Sequence, residues 1–147
     1  MGHYQKKVFH SVILDGDEVR KTINNDLKFT TSDREENNRR AAEIAKIINN
    51  SGIIAICAFI TPTDKIRNNI KQIIGTDSFK LIFVDTPFSL CEKRDQKSLY
   101  QKARDGKVKN FTGISSLFEK PANADIILDG QKSAEVNVKE LLVKLNL

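Results

Sequence analysis

The segment Leu14-Asp15-Gly16-Asp17-Glu18-Val19-Arg20 follows an apolar run and combines groups that suit a phosphorylated ligand. Two carboxylates separated by one glycine, Asp15 and Asp17, can hold Mg²⁺ or orient a hydroxyl group. Arg20, three residues beyond the second carboxylate, can form paired hydrogen bonds to a phosphate or sulfate. The same segment also fits a solvated turn in which an aspartate caps a helix.

A second group of polar residues surrounds a predicted helix start. Ser32-Asp33-Arg34-Glu35 has the spacing of a capping box. Arg34 and Asn37 are three residues apart, so they share a helix face near an N-terminus, where anions are favoured. The alternative for the arginines is an ordinary charged face with i,i+4 ion pairs. Phe29 either anchors its loop to the core or offers a stacking plane to a base.

A basic segment lies further along the chain. Residues 97–113 are rich in Lys and Arg and end in Lys109-Asn110-Phe111-Thr112-Gly113. Positive charge, glycine and one aromatic ring are what a lid over a nucleotide phosphate requires. A surface loop after a basic helix has the same composition. Asp85-Thr86-Pro87 is also open to two interpretations, because Asp85 can belong to a site or cap the next helix.

The elements that must position these residues alternate between strand and helix, which predicts an α/β fold with a parallel sheet covered by helices on both faces. The predicted strands are residues 8–14, 53–60, 79–84 and 126–128. Residues 53–60 are a continuous apolar run, typical of a strand buried on both faces, and residues 79–84 are predicted to be another buried strand. Helices are predicted over residues 32–50, 61–75, 87–93, 98–105 and 133–145.

The polar groups follow strand ends in this arrangement, with the 15–20 segment as a loop. Asp15, Thr61, Asp85 and the 107–113 segment all lie after a strand or in a nearby loop. Ligands of open parallel sheets bind at the carboxyl ends of the strands. The sequence therefore predicts one ligand site.

Composition narrows the classes of protein. A chain of 147 residues, 39% hydrophobic and 29% charged, fits one soluble globular domain over residues 1–147. No apolar run reaches membrane-spanning length, and the N-terminus lacks the pattern of a signal peptide. The net charge of +5 is spread through the helices. Without a nucleic-acid motif, this charge indicates a solvated face and a pocket for a small polyanion rather than nucleic-acid binding.

Cysteine and histidine usage excludes other chemistries. Cys57 and Cys91 do not form a Cys-x-x-Cys pair, which favours a reducing, cytoplasmic setting. No His/Cys/carboxylate spacing fits a zinc site. No Gly-x-Ser-x-Gly elbow or Cys-His pair indicates a covalent hydrolase.

Together these segments resemble the adenylylsulfate kinase family. The resemblance spans most of the chain, and the matching pieces have the family's order and spacing. They are Leu14 to Arg20, Asp26-Leu27-Lys28-Phe29-Thr30, Asp33 to Arg40, Ala58-Phe59-Ile60-Thr61-Pro62, Phe83-Val84-Asp85-Thr86-Pro87, Cys91-Glu92-Lys93-Arg94-Asp95, Leu99-Tyr100-Gln101-Lys102-Ala103-Arg104 and Asn110-Phe111-Thr112-Gly113-Ile114.

The resemblance implies a P-loop-kinase-like α/β fold and a transferase that uses ATP with Mg²⁺. The family phosphorylates the 3′-hydroxyl of adenosine 5′-phosphosulfate to give 3′-phosphoadenylylsulfate, a reaction of sulfate assimilation. Its kinases are often homodimers, so a homodimer is an option. A small nucleotide substrate again leaves no role for nucleic acid or a membrane.

The resemblance also implies roles for single residues. Asp15 is the catalytic position, acting on Mg²⁺ or on the attacking hydroxyl. Substrate binding falls to Asp17, Arg20, Arg34 and Asn37 around the phosphosulfate and ribose, to Phe29 and Phe111 on either side of the adenine, and to Ile60, Thr61 and Lys97. The lid and the ATP side fall to Arg94, Arg104, Lys107, Lys109 and Asn110.

The chain departs from the family pattern in several places. Thr61 stands where the family commonly has Ser, Ser98 replaces Gly, Asn38 replaces an apolar residue, and Leu117-Phe118 replaces Pro-Tyr. Family members begin with a strand and the Walker A loop Gly-x-x-x-x-Gly-Lys-[Ser/Thr], which cradles the ATP phosphates. Nothing in these 147 residues matches that loop.

We therefore expect the first strand and the Walker A loop to be missing and kinase activity to be impaired. A truncated product or gene model and a degenerate paralogue both explain such a sequence. Two other functions stay open. One is a non-catalytic module that binds the nucleotide sulfate, and the other is a kinase for another nucleotide-linked small anion.

Overall fold

The structure is a computed structural model that describes residues 8–95 and 98–147. Lys97, a predicted substrate-binding residue, lies outside the described residues. Within them, the chain divides into two compact units. The first comprises residues 8–61 and 68–78, and the second comprises residues 62–67 and 79–147. No described helix is both long and apolar enough to cross a bilayer.

The first unit contains a pair of parallel strands, β1 (Ser11–Asp15) and β2 (Ile54–Ala58). Between them run helix α1 (Gly16–Lys21) and the long helix α2 (Thr31–Asn50). The alanines at 41, 42 and 45 are buried, so this face of α2 packs into the unit. The register pairs Asp15 with Ala58, so both strands end at the same edge of this sheet. A 3₁₀ turn, Thr76–Ser78, also belongs to this unit.

Two predictions about helix starts in this unit are wrong. Residues 16–21 form helix α1 rather than a loop, and Asp15 caps this helix by accepting from the backbone N–H groups of Asp17 and Glu18. Helix α2 begins at Thr31, because the N-cap of its capping box is Thr30, two residues before the predicted N-cap Ser32. The Thr30 hydroxyl accepts from Asp33 N–H, and the Asp33 carboxylate accepts from Thr30 N–H.

The second unit contains another parallel pair, β3 (Ile82–Asp85) and β4 (Ile126–Asp129). Helices α4 (Phe88–Lys93) and α5 (Leu99–Arg104) follow β3, and α6 (Ala134–Leu145) closes the chain behind the N-cap Ser133. The register pairs Asp85 with Asp129 at the carboxyl ends of the two strands. The predicted α/β class, with parallel strands and helical connections, is confirmed.

The helix predicted over residues 61–75 is confirmed as α3 (Asp64–Ile74), which begins three residues later than predicted. Ile66 and Ile70 are buried. Gly75 follows the last helical residue with φ +101°, a conformation that residues with a Cβ rarely adopt, and its N–H donates to Lys71 O at 2.9 Å. A glycine at this position therefore ends the helix, as the sequence indicates.

The prediction that two strands are buried on both faces is wrong. Ile56 in β2 is 49% exposed and its neighbour Cys57 is also exposed, although successive strand residues point to opposite faces. Val84 in β3 is 53% exposed. Apolar, β-branched composition predicts a strand correctly, but burial depends on which elements pack over it. Among the described residues, each sheet has only two strands.

Candidate functional site

A hollow of about 250 Å³ lies in the first unit, where β1 and β2 end. Most of the residues predicted for the acceptor side of a ligand site line it. Its lining residues are Asp15, Gly16, Asp17, Arg20, Phe29, Arg34, Asn37, Asn38, Ala58, Phe59 and Ile60. Thr61 follows directly in the chain but does not line the hollow. Segments from α1, α2 and two strand ends therefore contribute to one concave surface.

The aromatic ring of Phe29 lies beside two cationic groups in this hollow. The guanidinium carbon of Arg20 is 4.6 Å from the ring centroid, and that of Arg34 is 5.6 Å from it. Hydrogen bonds fix both arginines to the same backbone turn, from Arg20 Nη1 to Lys28 O at 2.8 Å and from Arg34 Nε to Phe29 O at 3.3 Å. Phe29 is 52% exposed, so its ring is open to a ligand as well.

The electrostatics of the two arginines favour an anion. Burial lowers the pKa of Arg20, and the nearby carboxylates of Asp33 and Asp17 partly oppose this lowering. Burial also lowers the pKa of Arg34, and the charge of Arg20 lowers it further. Both groups stay charged near neutral pH because arginine titrates far above it. An anion in the hollow would relieve the repulsion between two partly desolvated cations.

The alternative interpretation of an ordinary charged helix face holds for other arginines of α2. Arg39 bonds Glu36 at 2.7 Å and lies 3.7 Å from Glu43, and Arg40 bonds Glu36 at 2.8 Å. These are i,i+3 and i,i+4 pairs of modest energetic value, and the pair of Arg40 with Glu36 is partly buried. Arg34 differs from them because it bonds backbone and faces the hollow. The helix therefore carries both kinds of arginine.

Asn38 and Gly16 line the hollow although the sequence analysis gave neither a role in a site. Asn38 is buried, and its amide donates to Arg34 O at 2.9 Å and to Ile60 O at 3.2 Å, which ties α2 to the chain after β2. A Cβ at Gly16 would lie 3.1 Å from Ala58 O and 3.2 Å from the Phe59 ring. The sequence contained one signal for the role of Asn38, because the family that the chain resembles has an apolar residue at this position.

Asp15 could serve as a single carboxylate ligand for Mg²⁺. The described residues around it do not form a metal site made entirely of protein ligands. Its Oδ1 accepts both capping hydrogen bonds, which leaves the second carboxylate oxygen for a ligand at the edge of the hollow. Across residues 8–95 and 98–147, no group of three or more His, Cys, Asp or Glu side chains could hold a metal ion. Mg²⁺ bound with nucleotides commonly uses one or two carboxylates, phosphate oxygens and water.

The residues predicted for the lid and the ATP side lie in the second unit. Arg94 Nη1 donates to Gly130 O at 2.8 Å, and Arg104 pairs with Glu92 at 2.6 Å. Lys107 lies 3.8 Å from Asp105. These contacts fix three of the predicted cations within their own unit.

Phe111 and Asn110 lie in the same segment. The Phe111 ring packs edge-on against Tyr100, with 4.9 Å between centroids, and Asn110 has a positive φ of 57°. Lys109 is exposed. The predicted pairing of Phe111 with Phe29 around an adenine stays a prediction.

Asp85 does not cap the helix that follows it. The N-cap position of α4 is Pro87, without a side-chain hydrogen bond. The Asp85 carboxylate instead pairs with Lys120 Nζ at 2.5 Å, and its backbone oxygen accepts from Gly130 N–H at 2.8 Å. Of the two interpretations, helix capping is therefore wrong.

The acid stability of the first unit should depend on Glu36. Hydrogen bonds from Arg39 and Arg40 lower the pKa of Glu36 to about 2, from an ordinary value of 4.5. Since the unfolded chain takes up this proton first, the contribution of Glu36 is complete above pH 4.5 and is lost as pH falls towards 2. Melting temperatures measured by circular dichroism between about pH 5 and about pH 2.5 should fall less steeply for Glu36→Gln than for the unchanged chain. Equal slopes would contradict this expectation.

Comparison with protein families gives an independent line of evidence. Residues 3–129 match the family model described as adenylylsulphate kinase. The adenylyl-sulfate kinase of Bacteroides thetaiotaomicron is 53% identical over 131 residues, which cover 88% of this chain and 65% of that protein. The enzyme of the same name from Clostridium acetobutylicum is 44% identical over 135 residues, covering 89% of this chain and 67% of that protein. The chain thus spans about two thirds of the length of these relatives.

Solved structures give a consistent result. The APS kinase of Mycobacterium tuberculosis, in complex with AMPPNP and APS, is similar with a TM-score of 0.89 at 34% identity, covering 95% of this chain and 82% of that one. A hexameric APS kinase from Thiobacillus denitrificans is similar with a TM-score of 0.66 at 26% identity, covering 94% of this chain and 23% of that one. The parallel α/β architecture is therefore shared with these proteins.

Proposed function

We propose, from the premise that this chain belongs to the adenylylsulphate kinase family, that the hollow of its first unit binds adenosine 5′-phosphosulfate. The observation that carries this proposal is the convergence of Arg20, Arg34 and the Phe29 ring on one concave surface at the strand ends. Two guanidinium groups match a doubly anionic phosphosulfate, and an exposed aromatic ring matches a base.

The remaining lining residues complete an acceptor site. Asn37, in the second turn of α2, provides an amide beside the two arginines. Asp15 and Asp17 lie at the N-terminus of α1, where a carboxylate can orient the 3′-hydroxyl that attacks the donor phosphate. Ile60 offers an apolar contact, held in place through the bond from Asn38 to its carbonyl.

The donor in this proposal is ATP with Mg²⁺. When bound, Mg²⁺ would neutralise charge on the donor phosphates, and Asp15 is the residue of the hollow that fits it. Arg94 would lie near the ATP base, and Arg104, Lys107, Lys109 and Asn110 would supply a basic lid. Phosphoryl transfer needs positioning and charge neutralisation more than covalent chemistry, which agrees with a site of arginines, amides and carboxylates.

The 147 residues contain no Gly-x-x-x-x-Gly-Lys-[Ser/Thr] sequence. We therefore propose that a polypeptide of these residues alone binds adenosine 5′-phosphosulfate but transfers phosphate slowly. Without a phosphate cradle, the transition state loses several kcal/mol of positioning and charge stabilisation, roughly a thousandfold or more in rate. A polypeptide that binds the nucleotide sulfate but transfers phosphate slowly would act as a binding module. The presence of the acceptor residues favours this second candidate function.

Two measurements on the same sample test the proposal. Isothermal titration calorimetry should detect binding of adenosine 5′-phosphosulfate, and adenosine, which has the base and ribose but no anionic group, should bind much more weakly. A coupled assay with ATP should show turnover far below that of a full-length relative assayed in parallel. A folded sample that does not bind adenosine 5′-phosphosulfate would refute the proposed acceptor site. Turnover equal to that of the full-length relative would refute the proposal that phosphate transfer is impaired.

The setting of this function is part of the same proposal. The reaction would take place in the cytoplasm, where ATP is available, and Cys57 and Cys91 are both free thiols, as a reducing compartment allows. A homodimer is the proposed assembly, and equilibrium sedimentation over a range of protein concentrations would test it.

A further inference from the structure

Two buried side-chain amides meet behind the hollow. Asn24 is completely buried and Asn37 is 4% exposed. The Asn24 Nδ2 group lies 3.0 Å from Asn37 Oδ1 and 3.4 Å from the backbone oxygen of Asn37. Asn37 lines the hollow, whereas Asn24 contacts it only through Asn37. The pair therefore links a buried loop residue to a residue of the proposed acceptor site.

Hydrogen-bond chemistry fixes the orientation of both amides. One of the two terminal atoms of the Asn24 amide lies 3.5 Å from Arg40 Nη1. A guanidinium group can only donate hydrogen bonds, so this atom is the amide oxygen, Oδ1. The other end of Asn24 is then the NH₂ group. It faces the backbone oxygen of Asn37, which can only accept, and the Oδ1 of Asn37. The oxygen of the Asn37 amide is thus turned towards Asn24, and its NH₂ group is at the opposite end.

Arg40 is itself held firmly in place. Its Nη1 and Nη2 form a two-pronged pair with Asp26 at 2.8 Å and 2.9 Å, and its Nε bonds Glu36 at 2.8 Å. Paired hydrogen bonds between a guanidinium and a carboxylate specify direction as well as energy. The oxygen of Asn24 consequently faces a donor whose position is set from two sides.

We propose that Asn24 is a positioning residue, which turns the Asn37 NH₂ group towards the hollow so that it donates to an anionic oxygen of the nucleotide. The ligand in this statement rests on the proposed function. A reversed Asn37 would present its oxygen to the phosphosulfate and repel it. Asn24 thus determines whether Asn37 presents a hydrogen-bond donor or an acceptor to the ligand, although Asn24 does not contact the ligand itself.

Two substitutions of Asn24 test this role by calorimetry with adenosine 5′-phosphosulfate. Asn24→Ala frees the Asn37 amide to turn and should weaken binding about tenfold, the value of one hydrogen bond to an anion. Asn24→Asp keeps the shape and can pair with Arg40, but its carboxylate requires a donor from Asn37. It should therefore turn the Asn37 oxygen into the hollow and weaken binding about a hundredfold. Asn25→Ala, at the exposed neighbouring position, is the matched control and should bind normally.

A double-mutant cycle separates positioning from a general loss of structure. In an Asn37→Ala background, Asn24→Ala should change affinity by less than about twofold, because no amide remains to be turned. An undiminished tenfold loss in that background would overturn the proposal. Normal binding by both Asn24 variants in the Asn37-containing chain would also overturn it.

A measurement without ligand keeps this inference separate from the proposed function. If the unchanged chain fails to bind the nucleotide sulfate, the proposed function is wrong, and side-chain amide hydrogen exchange measured by NMR still tests the orientation. The Asn24 NH₂ group should exchange slowly and that of Asn37 much faster, since it faces the hollow. Equal protection of the two groups would overturn the assigned orientation.

Discussion

Replacing Arg34 with alanine is expected to weaken binding of adenosine 5′-phosphosulfate about a hundredfold, with little effect on stability. Arg34 is held by Phe29 O at 3.3 Å and faces the hollow beside Arg20. Two charge-assisted hydrogen bonds to an anion contribute about 3 kcal/mol, which corresponds to this change in affinity. Calorimetry gives the affinity, and a thermal melt on the same sample gives the stability.

Arg39→Ala is the matched control for this prediction. Arg39 lies on the same helix but pairs with Glu36 and Glu43 at the surface, so its loss should leave affinity unchanged. Arg34→Lys should give an intermediate affinity, because lysine keeps the charge but not the planar fork. A folded Arg34→Ala variant that binds within about threefold of the unchanged chain would show that the anion lies elsewhere.

Gly130→Ala is expected to destabilise the second unit by about 2–4 kcal/mol. A Cβ at this position would lie 2.7 Å from Thr86 Cβ and 3.0 Å from Thr86 Cα, so a side-chain rotation cannot remove the overlap. The backbone here is also held on both sides, through Gly130 N–H to Asp85 O and Arg94 to Gly130 O, each at 2.8 Å. The strand end and the anchor of Arg94 should therefore shift together.

Urea denaturation followed by circular dichroism measures this effect. Gln131→Ala changes the exposed neighbouring residue and should leave the transition midpoint unchanged. Thr86→Ala in the Gly130→Ala background should restore only part of the stability, because Thr86 Cβ and Cα remain. A midpoint for Gly130→Ala equal to that of the unchanged chain would show that the two segments are not tightly packed.

Local sequence signals predicted the elements well where the causes lie within a few residues. The helix predicted over residues 133–145 is α6, Gly75 ends α3, and the possibility that Asp15 caps a helix is confirmed. The two-residue shift of the N-cap from Ser32 to Thr30 at the start of α2 reflects two hydroxyl residues that compete for the same cap. Caps and periodicity depend on backbone neighbours, so the sequence contains the information needed to predict them.

Predictions of burial failed because burial depends on distant parts of the chain. The apolar run at Ile56 forms the predicted strand, yet the residue is half exposed. A run of apolar, β-branched residues indicates the conformation that a segment prefers. It does not report how many other segments cover it.

The sequence by itself determined the α/β class, the positions of most helices and the residue types of the proposed anion site at the strand ends. Only the tertiary structure decided which side chains act on one another. Asn24 meets Asn37 across 13 positions, Arg40 meets Asp26 across 14, and Asn38 meets Ile60 across 22. The physical reason is that a side-chain hydrogen bond needs a donor and an acceptor about 3 Å apart, and the folded path of the chain, not its order, sets that distance.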